Sequence, residues 1–111
     1  MKDQQYQSDD RFGASLARRR GAQGYGPRRI GAELRSHGLN DAAIRVVMAE
    51  LDLDWTAIAT TQSRKRFGRG VPADPAERAK RADFLLRRGF DPATVRAVTR
   101  AEVDDPGLDL D

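Results

Sequence analysis

The sequence predicts an all-α fold: six helices arranged as tandem three-helix repeats, in two modules. Three observations carry this. Apolar residues recur at helical spacing, as in Ile44, Val47, Met48 and Leu51, which stand at i, i+3, i+4 and i+7. Helix punctuation recurs too, with Pro27, Pro75 and Pro92 at first helical positions and Gly38 and Gly89 where helices should end. Finally, the pattern occurs twice. Gly38-Leu39-Asn40 returns 51 positions later as Gly89-Phe90-Asp91, and Leu34, Ile44 and Val47 return as Leu85, Val95 and Val98. The competing explanation is chance likeness between two ordinary helical pairs. Strands are not expected, because no run alternates with period two and no hairpin turn joins β-branched stretches.

Residues 1–7 are polar and are expected to be a disordered N-terminal segment. Ser8 can cap a first helix whose opening turn holds Asp9 and Asp10, the charge sign that the helix dipole favours. Phe12 and Leu16 mark its inner face. Arg18, Arg19 and Arg20 extend around most of its surface, so all three cannot be buried. Gly21-Ala22-Gln23-Gly24 breaks the run. The next helix opens with Gly26 at the cap and Pro27 inside it, presents Ile30 and Leu34 as a narrow apolar stripe, and turns Arg28, Arg29 and Arg35 elsewhere. Leu39, Asn40 and Ile44 then form a hydrophobic staple around the start of a third helix. These helices make up the first repeat, residues 8–52.

The second repeat spans residues 53–103. Leu53, Asp54 and Ile58 form another staple, opening a helix from Trp55 to about Phe67 that faces Trp55, Ile58 and Ala59 inward and ends on Arg64-Lys65-Arg66. Gly68-Arg69-Gly70-Val71-Pro72-Ala73 is a loop by composition. Asp74-Pro75-Ala76-Glu77 comes close to a capping box, and the helix it opens runs through Lys80, Arg81, Leu85 and Leu86 to Arg87-Arg88-Gly89. A last helix from Pro92 to about Glu102 buries Val95 and Val98. Residues 104–111 are an acidic C-terminal tail.

Composition bounds the function. A chain of 111 residues buries roughly two-thirds of its unfolded surface, so each core is modest. The absence of cysteine excludes a disulfide framework and a zinc finger. No apolar run approaches a membrane span and the start does not resemble a signal peptide, which points to the cytoplasm. The net charge of +3 conceals a division: residues 1–100 hold all 20 Lys and Arg and 12 of the 17 acids, for +8, whereas residues 101–111 hold five acids and no base, for −5. A basic body of this kind suits a polyanion or an acidic protein partner; a merely solvated helical surface is the plain alternative.

Enzyme chemistry finds little support. His37 is the only histidine and adjoins a helix-ending glycine, there is no cysteine nucleophile, and carboxylates cluster only in the tail. The spacing Gly21-x-x-Gly24-x-Gly26 reverses the dinucleotide fingerprint and follows a helix. No cofactor or metal is implied. A DNA-reading helix-turn-helix would fit residues 27–50 in length, but the outward residues of its second helix include one arginine, no Asn or Gln, and the repelling Asp41 and Glu50. Tyr25 is the one candidate for stacking on single strands; packing as an inter-helix plug accounts for it equally well.

These residues resemble the RecX family of regulatory proteins. The resemblance is carried by Asp9-Asp10-Arg11-Phe12, Arg18-Arg19-Arg20, Gly24-Tyr25-Gly26-Pro27-Arg28-Arg29-Ile30, Glu33-Leu34-Arg35, Trp55, Arg66-Phe67-Gly68, Lys80-Arg81 and Phe84-Leu85-Leu86-Arg87-Arg88-Gly89-Phe90. It covers residues 6–100 and corresponds to the family's second and third repeats, since members carry a further repeat before the segment matching Asp9. It implies a monomeric modulator that binds the groove of the RecA–DNA filament, inhibits RecA ATPase, strand-exchange and coprotease activities, and binds DNA weakly. The residues expected to meet the partner are Arg18, Arg19, Arg20, Arg28, Arg29 and Arg35 on one surface, with Arg64, Lys65, Lys80, Arg81, Arg87 and Arg88 as their counterparts and Tyr25 between the clusters. For any single arginine, solubility and coverage of apolar neighbours is the alternative role.

Overall fold

The computed structural model describes the backbone of residues 2–103 and the side chains of residues 11–103. Six helices follow in order: α1 (Lys2–Ala22), α2 (Pro27–Ser36), α3 (Asp41–Leu51), α4 (Trp55–Phe67), α5 (Pro75–Arg87) and α6 (Pro92–Thr99). There is no strand among the described residues. Helices α1–α3 pack pairwise on one another, and α4–α6 do the same. The pair measures 57 × 37 × 20 Å, longer than it is thick.

Each module has its own core, made by the apolar stripe of every helix. Leu16, Ala17, Ile30, Leu34, Leu39, Ala43, Ile44 and Val47 are buried together in the first; Ala59, Ala82, Leu85, Phe90, Val95 and Ala101 in the second. Ile30, Leu34, Leu85, Phe90 and Val95 are fully buried, each contributing about 1.5–3 kcal/mol by removal from water. Trp55, at the start of α4, is half-buried and packs against both cores.

Duplication is visible in the backbone hydrogen bonds. After α2, the Leu39 N–H donates to the Leu34 carbonyl at 3.2 Å and Gly38 to Arg35 at 3.0 Å; after α5, Phe90 donates to Leu85 at 3.2 Å and Gly89 to Leu86 at 3.0 Å. Both are Schellman turns, which need a left-handed residue, and Gly38 and Gly89 supply it with φ of 94° and 97°. The expected caps are present as well. Asn40 accepts from the Ala43 N–H at 2.8 Å, Asp54 from Ala57 at 3.0 Å and Asp74 from Ala76 at 3.1 Å.

The structure departs from expectation in several places. Helix α1 starts at Lys2, not at Ser8, so the backbone of residues 2–7 is helical where disorder was expected. Lys and Gln are good helix formers and no Gly or Pro interrupts them, so polarity alone does not stop the helix. Phe12 is not an inner residue: it is 40% exposed, touched edge-on by His37 at 4.9 Å. Helix α6 ends at Thr99 because Arg100 turns left-handed, with φ 59°. The inner face of α4 also includes Gln62 and Ser63, both buried. The acidic tail, residues 104–111, lies outside the described residues.

Candidate functional site

The segment between α1 and α2 meets the end of α5, and basic and aromatic side chains converge there. A helix start leaves its first N–H groups without partners. Gly26 caps α2 in extended backbone and has no side chain to accept from them. The second module supplies the acceptors instead. The Gly26 N–H donates to the Arg88 carbonyl at 2.8 Å and the Arg28 N–H to the Gly89 carbonyl at 2.9 Å. The carbonyl end of α5 thus abuts the N–H end of α2, which brings opposite helix-dipole partial charges together.

Side chains reinforce this joint. Arg28 Nε donates to Asp91 Oδ1 at 2.9 Å, across the two modules. That ion pair occupies the Asp91 carboxylate, which makes no capping bond to α6, unlike Asn40 at the matching position in the first repeat. Tyr25 is half-buried, with the guanidinium carbons of Arg29 and Arg88 at 4.5 and 4.7 Å from its ring centre. Arg88 also lies 5.5 Å from the Phe84 ring and donates from Nη2 to Gln62 Oε1 at 3.2 Å. Gln62 in turn lies directly against Gly24, where a Cβ would collide with its amide.

Two open grooves flank the joint. One, of about 520 Å³, has an apolar floor of Ala22, Leu53, Ala57 and Ile58, with Arg18 and Lys65 among its lining residues. The other, of about 530 Å³, runs past Tyr25 and Arg29 to Arg20 and Glu33.

The expected contact residues separate into three kinds of place. Arg29, Tyr25 and Arg88 come together, with Arg28 alongside. Arg18, Arg19, Arg64, Lys65, Lys80 and Arg87 are exposed, and none of them enters an ion pair among the described residues. The remainder are engaged within their own module. Arg20 makes a two-pronged bond to Glu33, 2.7 Å from Nε and 2.8 Å from Nη2. Its hydrogen bond holds the Glu33 carboxyl below the usual carboxylate range, and the same bond raises the Arg20 guanidinium further. Arg35 pairs with Asp41 at 3.0 Å. Arg81 donates to the Gly70 carbonyl at 2.8 Å and lies 5.3 Å from the Phe67 ring. The physical reason is proximity: Glu33, Asp41 and the loop carbonyls lie within reach, and a nearby carboxylate or carbonyl outcompetes water.

Sequence reasoning missed Gln62, Asp91 and Arg78. Arg78 fastens the α4–α5 loop by donating to the carbonyls of Pro72 and Ala73 at 2.8 and 3.0 Å. Asp91 is the repeat counterpart of Asn40, and no signal in the sequence marks it as a cross-module partner. For Gln62 the available signal was Gly24, a glycine in a break with nothing in the sequence to say what it makes room for.

Among the described residues no three His, Asp or Glu side chains gather into a possible metal site, and no helix is long and apolar enough to cross a membrane. Comparison with known proteins places both modules. The family model for the second three-helix domain of RecX matches residues 8–48, and that for the third matches residues 52–99. Regulatory protein RecX of Xanthomonas campestris pv. campestris (strain B100) is 47% identical over 100 residues, covering 90% of this chain and 62% of the relative. Its counterpart in Xanthomonas axonopodis pv. citri (strain 306) is 44% identical over 105 residues, 95% of this chain and 65% of the relative. That of Stenotrophomonas maltophilia (strain K279a) is 45% identical over 100 residues, 90% and 61%. The chain therefore spans about three-fifths of the length of the curated relatives it matches. With two family models matched in order, one per module, and relatives near 45% identity along most of its length, the chain belongs to the RecX family.

Proposed function

We propose that this protein is a non-catalytic regulator that binds in the groove of the RecA–DNA filament and thereby inhibits RecA ATPase, strand exchange and coprotease activity. It acts as a cytoplasmic monomer, residues 8–52 and 53–103 being its two repeats, and DNA contributes weak, sequence-independent contacts. The observation that carries this reading is the convergence of Arg29 and Arg88 on Tyr25 at the module joint, with Arg28 alongside and exposed Arg18 and Lys65 lining the adjacent groove. Such a surface offers several cations at once to an acidic or phosphate-bearing partner.

The test is RecA ATPase on single-stranded DNA with and without the chain, together with filament binding by Arg18→Ala/Lys65→Ala. These two cations enter no ion pair among the described residues, so circular dichroism should be unchanged while inhibition weakens. If the wild-type chain leaves the ATPase untouched, the inhibitor reading is wrong. The +8 charge of residues 1–100 favours one rival, a general DNA-binding module. That rival wins if naked DNA binds as tightly as RecA-coated DNA at equal salt, with a log–log salt slope near −0.9 for each phosphate neutralised.

A further inference from the structure

We infer that Gly26 is a positioning residue: it lets the two modules lock at one fixed angle, and a filament partner reads that angle. The inference rests on the filament-binding reading above. Gly26 has φ −90° and ψ 173°, extended backbone that any residue adopts, so its own conformation does not require glycine. Its neighbour does. A Cβ at this position would lie 2.5 Å from the carbonyl carbon and oxygen of Gly89 and from the nitrogen of Phe90, all backbone of the second module. Those atoms belong to the Schellman turn that ends α5 and have no flexible side chain to swing aside. Gly89 closes the gap from the other side, where a Cβ would come within 2.5 Å of the Arg29 Cβ.

Through this gap pass the two backbone bonds from Gly26 and Arg28, and around it stand the Arg28–Asp91 pair and the Arg29–Tyr25–Arg88 cluster. Contacts of so many kinds in one place make the two modules a single body. A filament of identical subunits presents its contact points at one spacing and one rotation. A rigid pair of modules can match two such points without losing further orientational freedom on binding, whereas a loosely hinged pair must give that freedom up.

Gly26→Ala tests this in the full chain, with Gly31→Ala as the matched control on the same helix. A Cβ at Gly31 would meet only Ile44 Cγ2, at an ordinary 3.8 Å. Both variants should keep wild-type helical content by circular dichroism. Gly31→Ala should scatter X-rays at small angles and bind RecA–DNA filaments as wild type does. Gly26→Ala should change the radius of gyration and bind at least about tenfold more weakly. Unchanged scattering, or altered scattering with wild-type affinity, overturns the inference while leaving the filament reading intact. Failure of the wild-type chain to bind filaments overturns both. Should Gly26→Ala lose its helical signal, Gln62→Ala, which adds no atoms and removes the side chain that lies against Gly24 across the joint, must weaken filament binding; wild-type binding by that variant equally sinks the idea.

Discussion

Replacing Tyr25 by leucine or phenylalanine separates what its ring face, its hydroxyl and its apolar bulk contribute. The ring has the Arg29 and Arg88 guanidinium carbons 4.5 and 4.7 Å from its centre, at a half-buried position. A cation over an aromatic face is worth about 0.5–1 kcal/mol where solvent still reaches it, so the two contacts together stabilise the joint by about 1–2 kcal/mol. Tyr25→Leu keeps most of the apolar area and removes the π face, and should cost that amount. Tyr25→Phe keeps the face and loses a hydroxyl that makes no hydrogen bond among the described residues, so it should stay within about 0.5 kcal/mol of wild type. In a chain of this size the leucine variant should melt roughly 4–8 °C lower. Urea unfolding followed by circular dichroism gives the free energies. A cycle with Arg88→Met should return a coupling of about 0.5–1 kcal/mol for that one contact, because the cycle cancels the separate loss of the Arg88–Gln62 bond. Equal destabilisation by leucine and phenylalanine would show that the ring face does nothing, and the cation–π account of the joint would have to be dropped.

Two further outcomes follow from the same geometry. Asn40→Ala removes a cap bond to the Ala43 N–H and should cost about 1 kcal/mol, whereas Asp91→Ala at the matching position loses only a half-exposed ion pair, about 0–1 kcal/mol; urea midpoints that reverse this order would show that Asp91 caps α6 after all. Glu33→Gln should be less stable than wild type at neutral pH, with the gap closing on acidification. The folded carboxyl is held low by Arg20, so its stabilisation is present above the unfolded value of about 4.3 and is lost as pH falls through the folded one. Parallel unfolding curves for the two proteins from about pH 7 down to about pH 3 would refute that role.

The all-α class, the six helices and their twofold repetition were legible because they rest on local rules. Pro27, Pro75, Pro92, Gly38 and Gly89 act within a turn of their own position, and the stripe residues Ile30, Leu34, Leu85 and Val95 obey one helical period. What escaped notice depends on partners distant in sequence. Arg20 reads as one of three like arginines, yet it alone faces Glu33, since the angle between α1 and α2 selects which member of the run crosses over. Phe12 has the right spacing for the core but stays 40% exposed, with its ring against His37. Arg28 and Asp91 are 63 positions apart, and nothing local distinguishes Asp91 from the capping residue it resembles. That Tyr25 takes Arg29 and Arg88 as its neighbours required the fold.

Helices α2 and α5 both open on proline, yet their first turns are closed in different ways. In α5 the Asp74 carboxylate accepts from the Ala76 N–H at 3.1 Å, so the turn is complete within its own module. In α2 the matching N–H, that of Arg28, is taken by the Gly89 carbonyl of the other module. The start of α2 also carries two arginines, the charge sign a helix N-terminus disfavours. They are tolerated because the carbonyl end of α5 and the Asp91 carboxylate bring negative charge to the same spot. An anionic group of a partner that reaches Arg28 must therefore compete with Asp91 for it. On the proposed reading, a partner that captures Arg28 would loosen one side-chain tie of the joint while leaving the backbone bonds from Gly26 and Arg28 in place.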